Sequence, residues 1–164
     1  MKKRFILFGR EKIMSRDGSE LYLDRLIIFR TPWFSLYLHK FYVSDDPVPH
    51  DHPWDFVTLP LVHGYWEHKY SFEKPCPDLY LDRNHATASW KEKLIFRYPF
   101  VPAFRRAEDL HWVELPKNKK PWSLCFLFRR RRHWGFVEEC RTGEYIWIES
   151  DLWLYDDRRG APKP

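Results

Sequence analysis

The sequence predicts an all-β fold, and three observations carry the prediction. Apolar residues alternate with period two through most of the chain. Aromatic residues make up 19%, with nine Trp, nine Tyr and thirteen Phe, and such side chains favour pleated, half-buried surfaces. Thirteen prolines interrupt the chain too often for long helices, and no extended 3.6-residue stripe occurs. At 164 residues one domain is expected, spanning 1–155, with a polar, frayed tail over 156–164. A small antiparallel protein closes its edges as a double-sheet jelly roll or a barrel.

The elements follow in order. Leu21 to Phe29 is dense in β-branched and aromatic residues, and Thr31-Pro32-Trp33 ends it. Phe34 to Val43 is a second strand, closed by Ser44-Asp45-Asp46-Pro47. Phe56 to Val62 is a third, interrupted at Pro60, and Gly64 opens a fresh run from Tyr65 to Phe72. Cys76-Pro77-Asp78 marks a loop. Ala86 to Trp90, Lys93 to Tyr98, Leu110 to Leu115, Trp122 to Phe128, Phe136-Val137 and Tyr145 to Ile148 complete the set.

The formal net charge of +5 permits an anionic partner without demanding one. Three cysteines, Cys76, Cys125 and Cys140, give an odd count and no C-x-x-C spacing. That argues against a disulfide framework and a thiolate zinc site. The apolar run from Phe5 to Phe8 is too short for a secretory h-region, and no stretch reaches the length of a membrane span. A cytoplasmic setting, with no membrane partner, is expected.

The chemistry concentrates in "HDHPWDF", residues 50–56. Residues i and i+2 of a strand face the same way, so His50 and His52 project together and Asp51 points oppositely. A catalytic metal site commonly needs three protein ligands and an open position. His111 in "DLHWVEL" is the expected third, because it shares a strand face with Val113 and Leu115. Asp55 and Glu67 are candidates to complete the coordination sphere or to stand behind the ligands as hydrogen-bond partners, and Tyr65 and Glu67 are the candidate catalytic residues. The competing reading is structural: the histidines cap a Pro-rich loop and Trp54 plugs the barrel mouth.

The segments "TPWFSLYLHKFYVSDDPVPHDHPWDF", "HGYWEH", "LHWVEL" and "RRRHWGF" resemble cupin-type proteins of a small group common in phage genomes and their bacterial relatives. The resemblance covers roughly Leu21 to Val137. It implies a cupin-like double-stranded β-helix (a jelly-roll barrel) holding a divalent metal on a His-x-His pair and one later histidine. His50 and His52 match the pair, and His111 matches the later residue. The family pattern also has a Glu shortly after the pair. Here the window reads Trp54-Asp55-Phe56-Val57, so either Asp55 has that role or the site lacks an acid.

Imidazole-rich sites suit Fe, Ni, Mn, Zn or Cu, and the residues do not choose among them. Iron would support dioxygenase chemistry, and zinc or manganese Lewis-acid chemistry. The expected function is therefore a metal-binding cupin, of oxygenase type or related, acting on a small polar molecule held in the barrel. Trp54, Tyr65 and Trp112 are aromatic candidates near its mouth. Two alternatives stand beside it: a non-catalytic jelly-roll binding module, and a metal-free sugar-nucleotide epimerase using a His-Asp pair and a Tyr. His39 reads as a half-buried histidine, His63 and His68 as solvated, and His85 as part of a loop. The run Arg129 to Arg132 reads as a solvated strand end, with one arginine reaching toward an anionic ligand at the mouth. The charge balance argues against a nucleic-acid binder. Strand edges and surplus aromatics point to a homodimer.

Overall fold

A computed structural model describes residues 5–16, 18–72, 90–139 and 145–150. Its strands are β1 (Ile6–Met14), β2 (Leu21–Arg30), β3 (Ser35–Phe41), β4 (Phe56–Val62), β5 (Tyr65–Phe72), β6 (Trp90–Arg97), β7 (Ala103–Arg105), β8 (Leu110–Glu114), β9 (Trp122–Leu127), β10 (Gly135–Glu139) and β11 (Tyr145–Glu149). One sheet has six strands in the order β1-β2-β3-β9-β4-β7. The other layer contains β6-β5-β8 and the pair β10-β11, bridged by the segment around His50. His50 bridges His111 of β8 on one side and Phe136 of β10 on the other. Every pairing between strands is antiparallel.

The alternation in sequence becomes alternation in burial. In β9 the pattern is half-buried then buried, repeated along the strand, so Ser123, Cys125 and Leu127 face inward. Ile27, Tyr37, Phe56, Cys125 and Leu127 form one core cluster, with Ile6 and Trp54 packed against it. Trp54 thus lies against the core. Phe41 of β3 meets Tyr65 of β5 with ring centroids 6.0 Å apart, and Phe56 of β4 meets His111 of β8 at 6.1 Å. These contacts place the two inner faces against each other, as a jelly roll requires. A second cluster, Leu110 and Val137, is covered by Tyr70, Trp90, Tyr145 and Trp147.

Pro60 does not stop β4. Its pairing with β9 shifts register between Pro60 and Val62, and β7 pairs only with Phe56 to Thr58. The missing N–H falls at a bulge, where proline is tolerated. The chain then crosses to the other sheet through His63 and Gly64, both at φ 71°. A Cβ on Gly64 would run into the Arg97 carbonyl oxygen, so glycine is required there.

Two strands were not anticipated. β1 carries Arg10, Glu11 and Lys12 among its apolar residues, and the first two find partners on β2. Arg10 binds Asp24 at 2.6 Å, and Glu11 takes Arg25 and Arg30 at 3.2 and 3.0 Å. β7 is three residues long, below what alternation can reveal. The expected strand over 86–90 lies outside the described residues apart from Trp90, which begins β6. His85, Cys76, Cys140 and the tail 156–164 lie outside them as well. Cys125 is a buried free thiol. Among the described residues no helix is long and apolar enough to cross a membrane.

Candidate metal centre

His50 reaches its place through the backbone. It exchanges both peptide hydrogen bonds with His111, N to O at 3.1 Å and the reverse at 3.0 Å. Directly opposed residues of an antiparallel pair present their side chains on the same face. His52 lies two residues on, held by its N–H to the Ala107 carbonyl at 2.9 Å. The three rings therefore converge, with centroids 5.3 Å (His50–His52), 5.4 Å (His50–His111) and 5.0 Å (His52–His111) apart. One ring nitrogen from each lies within 4.8 Å of the others.

Hydrogen bonds decide which nitrogens those are. His111 Nδ1 lies 2.7 Å from Glu67 Oε1, and His50 Nδ1 lies 3.2 Å from the Val48 carbonyl. Both Nδ1 atoms act as donors, which leaves each Nε2 with its lone pair. His52 Nε2 sits 2.7 Å from His111 Nε2. Dense packing around His50 and His52 works against the imidazolium and lowers both pKa values, His52 strongly. Three imidazoles that bring ring nitrogens to one point are a donor set a divalent transition metal takes. Nitrogens at roughly 2.0–2.1 Å from one ion stand about 3 Å apart, and the His52–His111 pair at 2.7 Å is already near that spacing.

Glu67 is fully buried. It accepts from His111, from Arg105 through two nitrogens, and from Arg97. Burial acts to raise its carboxyl, but the hydrogen bond from His111 and the Arg105 guanidinium outweigh that and hold it below the usual carboxylate range. Glu67 is thus a carboxylate behind His111, with its oxygens committed to three partners.

The remaining candidates go elsewhere. Asp55 turns away from the imidazoles, accepts from Arg131 at 2.7 Å and takes the Ala107 N–H at 2.7 Å. It is not in the histidine cluster, because Pro53 has turned the chain and the carboxylate finds a guanidinium first. Tyr65 is buried and donates to Thr58 Oγ1 at 3.3 Å. Trp112 faces the outside of β8, stacked on His68 at 3.6 Å. His68 itself is not solvated at a turn; it lies in β5 between the carboxylates of Glu92 and Glu114.

Strand parity places Asp51 on the side opposite the histidines. It is fully buried and accepts from Gly135 N at 2.7 Å, Arg132 Nη1 at 2.8 Å and Trp147 Nε1 at 3.0 Å. Burial pushes its carboxyl up to about 6 even against Arg132. The arginine run follows the end of β9 with Arg129, Arg130 and Arg131 exposed as expected, but in this connection, residues 128–134, Arg131 also pairs with Asp55 and Glu108 and Arg132 with Asp51. That connection delivers Trp134, whose ring lies parallel to His52 at 6.3 Å. Phe136 approaches His50 at 5.5 Å and Phe56 approaches His52 at 4.6 Å. These aromatics wall the imidazoles. A cavity of about 830 Å³ lies beside them, with His50, Trp134 and Phe136 at one side and Tyr22, Arg25 and Asp45 among its polar lining.

No protein-family model matches the chain, and no curated protein matches it. Solved structures do. The chain overlays on the 7S globulin of Momordica charantia with a TM-score of 0.51 at 7% identity, covering 83% of this chain and 37% of that one. It overlays on an RmlC-like cupin from Shewanella frigidimarina with a TM-score of 0.45 at 13% identity, covering 80% and 96%. For Fe(II)-HppE with the alternative substrate (S)-1-HPP the TM-score is 0.47 at 16% identity, covering 74% of this chain and 55% of that one. The chain thus spans little more than half the length of the HppE chain. Likeness at these identities is a likeness of fold alone. With its two antiparallel layers and no helical domain among the described residues, the chain is an all-β protein of the cupin-like jelly-roll fold.

Proposed function

We propose that the protein holds a divalent transition metal (Fe, Ni, Mn or Zn) on His50, His52 and His111, and uses it on a small polar molecule entering the adjoining cavity. The observation that carries this is the convergence of three ring nitrogens within 4.8 Å, two of the rings fixed through Nδ1 by Val48 and Glu67. A bound metal would supply Lewis-acid or oxygen-activating chemistry. The protein's own share is to keep His50 and His52 neutral, aim the three imidazoles, and shield one side with Trp134, Phe136 and Phe56. The cavity volume, about 830 Å³, falls within the range of small-molecule sites.

The binding-module alternative shares this geometry and differs only in lacking turnover. The metal-free epimerase reading has less support, because Tyr65 bonds to Thr58 and Asp51 to Arg132, away from a shared acid–base pair.

The test is metal content of protein purified without a histidine tag, by mass spectrometry. Near-stoichiometric transition metal is expected, lost in both His52→Ala and His111→Ala while far-UV circular dichroism stays native. Wild-type protein that stays metal-free after exposure to each of the four ions would overturn the proposal.

A further inference from the structure

The inner face of the six-stranded sheet is not apolar throughout. Glu11, Arg25, His39 and Ser123 stand directly opposite one another across β1, β2, β3 and β9. Arg25 has the inward parity of buried Leu23 and Ile27, and His39 and Ser123 are buried. The neighbouring row, Ile27, Tyr37 and Cys125, belongs to the core. Polar groups on an inward face cost free energy unless something engages them.

The Arg25 guanidinium is held from several sides. Nε donates to His39 Nε2 at 3.1 Å, and Nη1 donates to Glu11 Oε2 at 3.2 Å. Its central carbon lies 4.9 Å from the Tyr37 ring centroid. A guanidinium carries more N–H donors than these, and Nη2 has no hydrogen-bond partner among the described residues. Glu11 is also gripped by Arg30, through Nη1 and Nη2 at 3.0 Å each. Two cations thus share one carboxylate, and a positive charge is left over.

Arg25 lines the same cavity as His50. The cavity's acids do not take up that charge. Asp45 accepts from the Tyr22 hydroxyl and the Val113 N–H. Glu20 and Asp46 are exposed, where water and salt screen them. Ile13, Val43, Val48 and Phe136 make much of the remaining wall apolar.

We infer that the cavity takes a small organic acid, a monoanion whose carboxylate seats on Arg25 while its other, polar end faces the imidazoles. The inference rests on reading this cavity as the small-molecule site. A planar guanidinium fork fits a carboxylate, and one already fixed in place loses little freedom on binding it. The anion supplies the counter-charge that Glu11 divides between two arginines. A neutral or cationic molecule would leave that charge unmet. His39 is a positioning residue, because it accepts from Nε and so sets the plane of the guanidinium.

The probes are glycolate, β-hydroxypropionate and γ-hydroxybutyrate, each beside its neutral amide. They are titrated at millimolar concentration into metal-free and zinc-loaded protein, and the arginine Nε–H signals are followed by NMR. At least one acid should shift the Arg25 signal saturably, and its amide should not. Arg25→Gln should weaken binding of that acid by about 10–100-fold. Arg25→Lys, which keeps the charge and loses the fork, should fall between. Arg16→Gln, on the same cavity, should have the smallest effect. The wild-type Arg25 signal decides the matter if a variant folds poorly. No acid bound in either form, acid and amide bound alike, or affinity lost with Arg16 and kept without Arg25 would each overturn the inference. Acid bound at Arg25 of a chain that takes up no metal would overturn the metal proposal and support this one. Bound metal without bound acid would do the reverse.

Discussion

His111 Nδ1 and Glu67 Oε1 lie 2.7 Å apart, and the same carboxylate is gripped by Arg105 and Arg97. One buried acid therefore aims an imidazole and neutralises a buried guanidinium. Glu67→Gln keeps the size and removes the charge. Stability should fall by about 3–5 kcal/mol, because Arg105 is left buried without its counter-charge. Metal affinity should weaken by about 10–100-fold, as for loss of a partner behind a ligating histidine. Chemical denaturation and competitive metal titration measure the two effects separately.

Asp55 distinguishes a ligand from a neighbour. Its carboxylate serves Arg131 and the Ala107 N–H, so Asp55→Asn should leave metal stoichiometry and affinity unchanged. The Arg131 pair is partly open to solvent, and its loss should cost less than about 1 kcal/mol. A variant with reduced metal content would place the carboxylate at the site after all.

Asp51 ties three elements together. Asp51→Ala would strand the Gly135 N–H, the Trp147 indole N–H and Arg132. A loss of about 3–5 kcal/mol is expected. Asp51→Asn retains an oxygen acceptor and should be better tolerated. Paired thermal melts of the two variants check the ranking.

His39 sits buried between Tyr37 and Phe41 and accepts from Arg25. Burial, reinforced by Arg25, pushes its pKa down from 6.5 to about 3. Above pH 6.5 both folded and unfolded chains hold it neutral. Below that, the unfolded chain takes up a proton that the folded chain refuses, so stability falls as pH falls toward 3. The contribution approaches about 1.4 kcal/mol per pH unit. Denaturation curves of wild type and His39→Gln between pH 7 and 4 should show this slope reduced in the variant. Parallel curves would mean that His39 is protonated in the native state.

Period-two patterning located β2, β3, β4, β5, β8 and β9 because each has one buried face, which imposes alternation on the residues themselves. β1 escaped because an edge strand can satisfy interleaved charges against its neighbour, as Glu11 does with Arg25 and Arg30. At the site, His-x-His spacing and the apolar company of His111 were readable locally. The hub at Asp51 was not, since its donors come from residues 132, 135 and 147. Only the packed chain brings them together. Trp134 was hidden for the same reason: beside four arginines its company suggests solvent, and ion pairs to Asp51, Asp55 and Glu108 reverse that expectation.

His50 is the stitch between β8 and β10, and this has a kinetic corollary. His52 and His111 meet only after a chain separation of 59 residues has been closed, and such distant pairings form slowly. The imidazole cluster is therefore expected to assemble late during folding. In stopped-flow refolding, a signal that reads this cluster should lag the appearance of the β2-β3 hairpin.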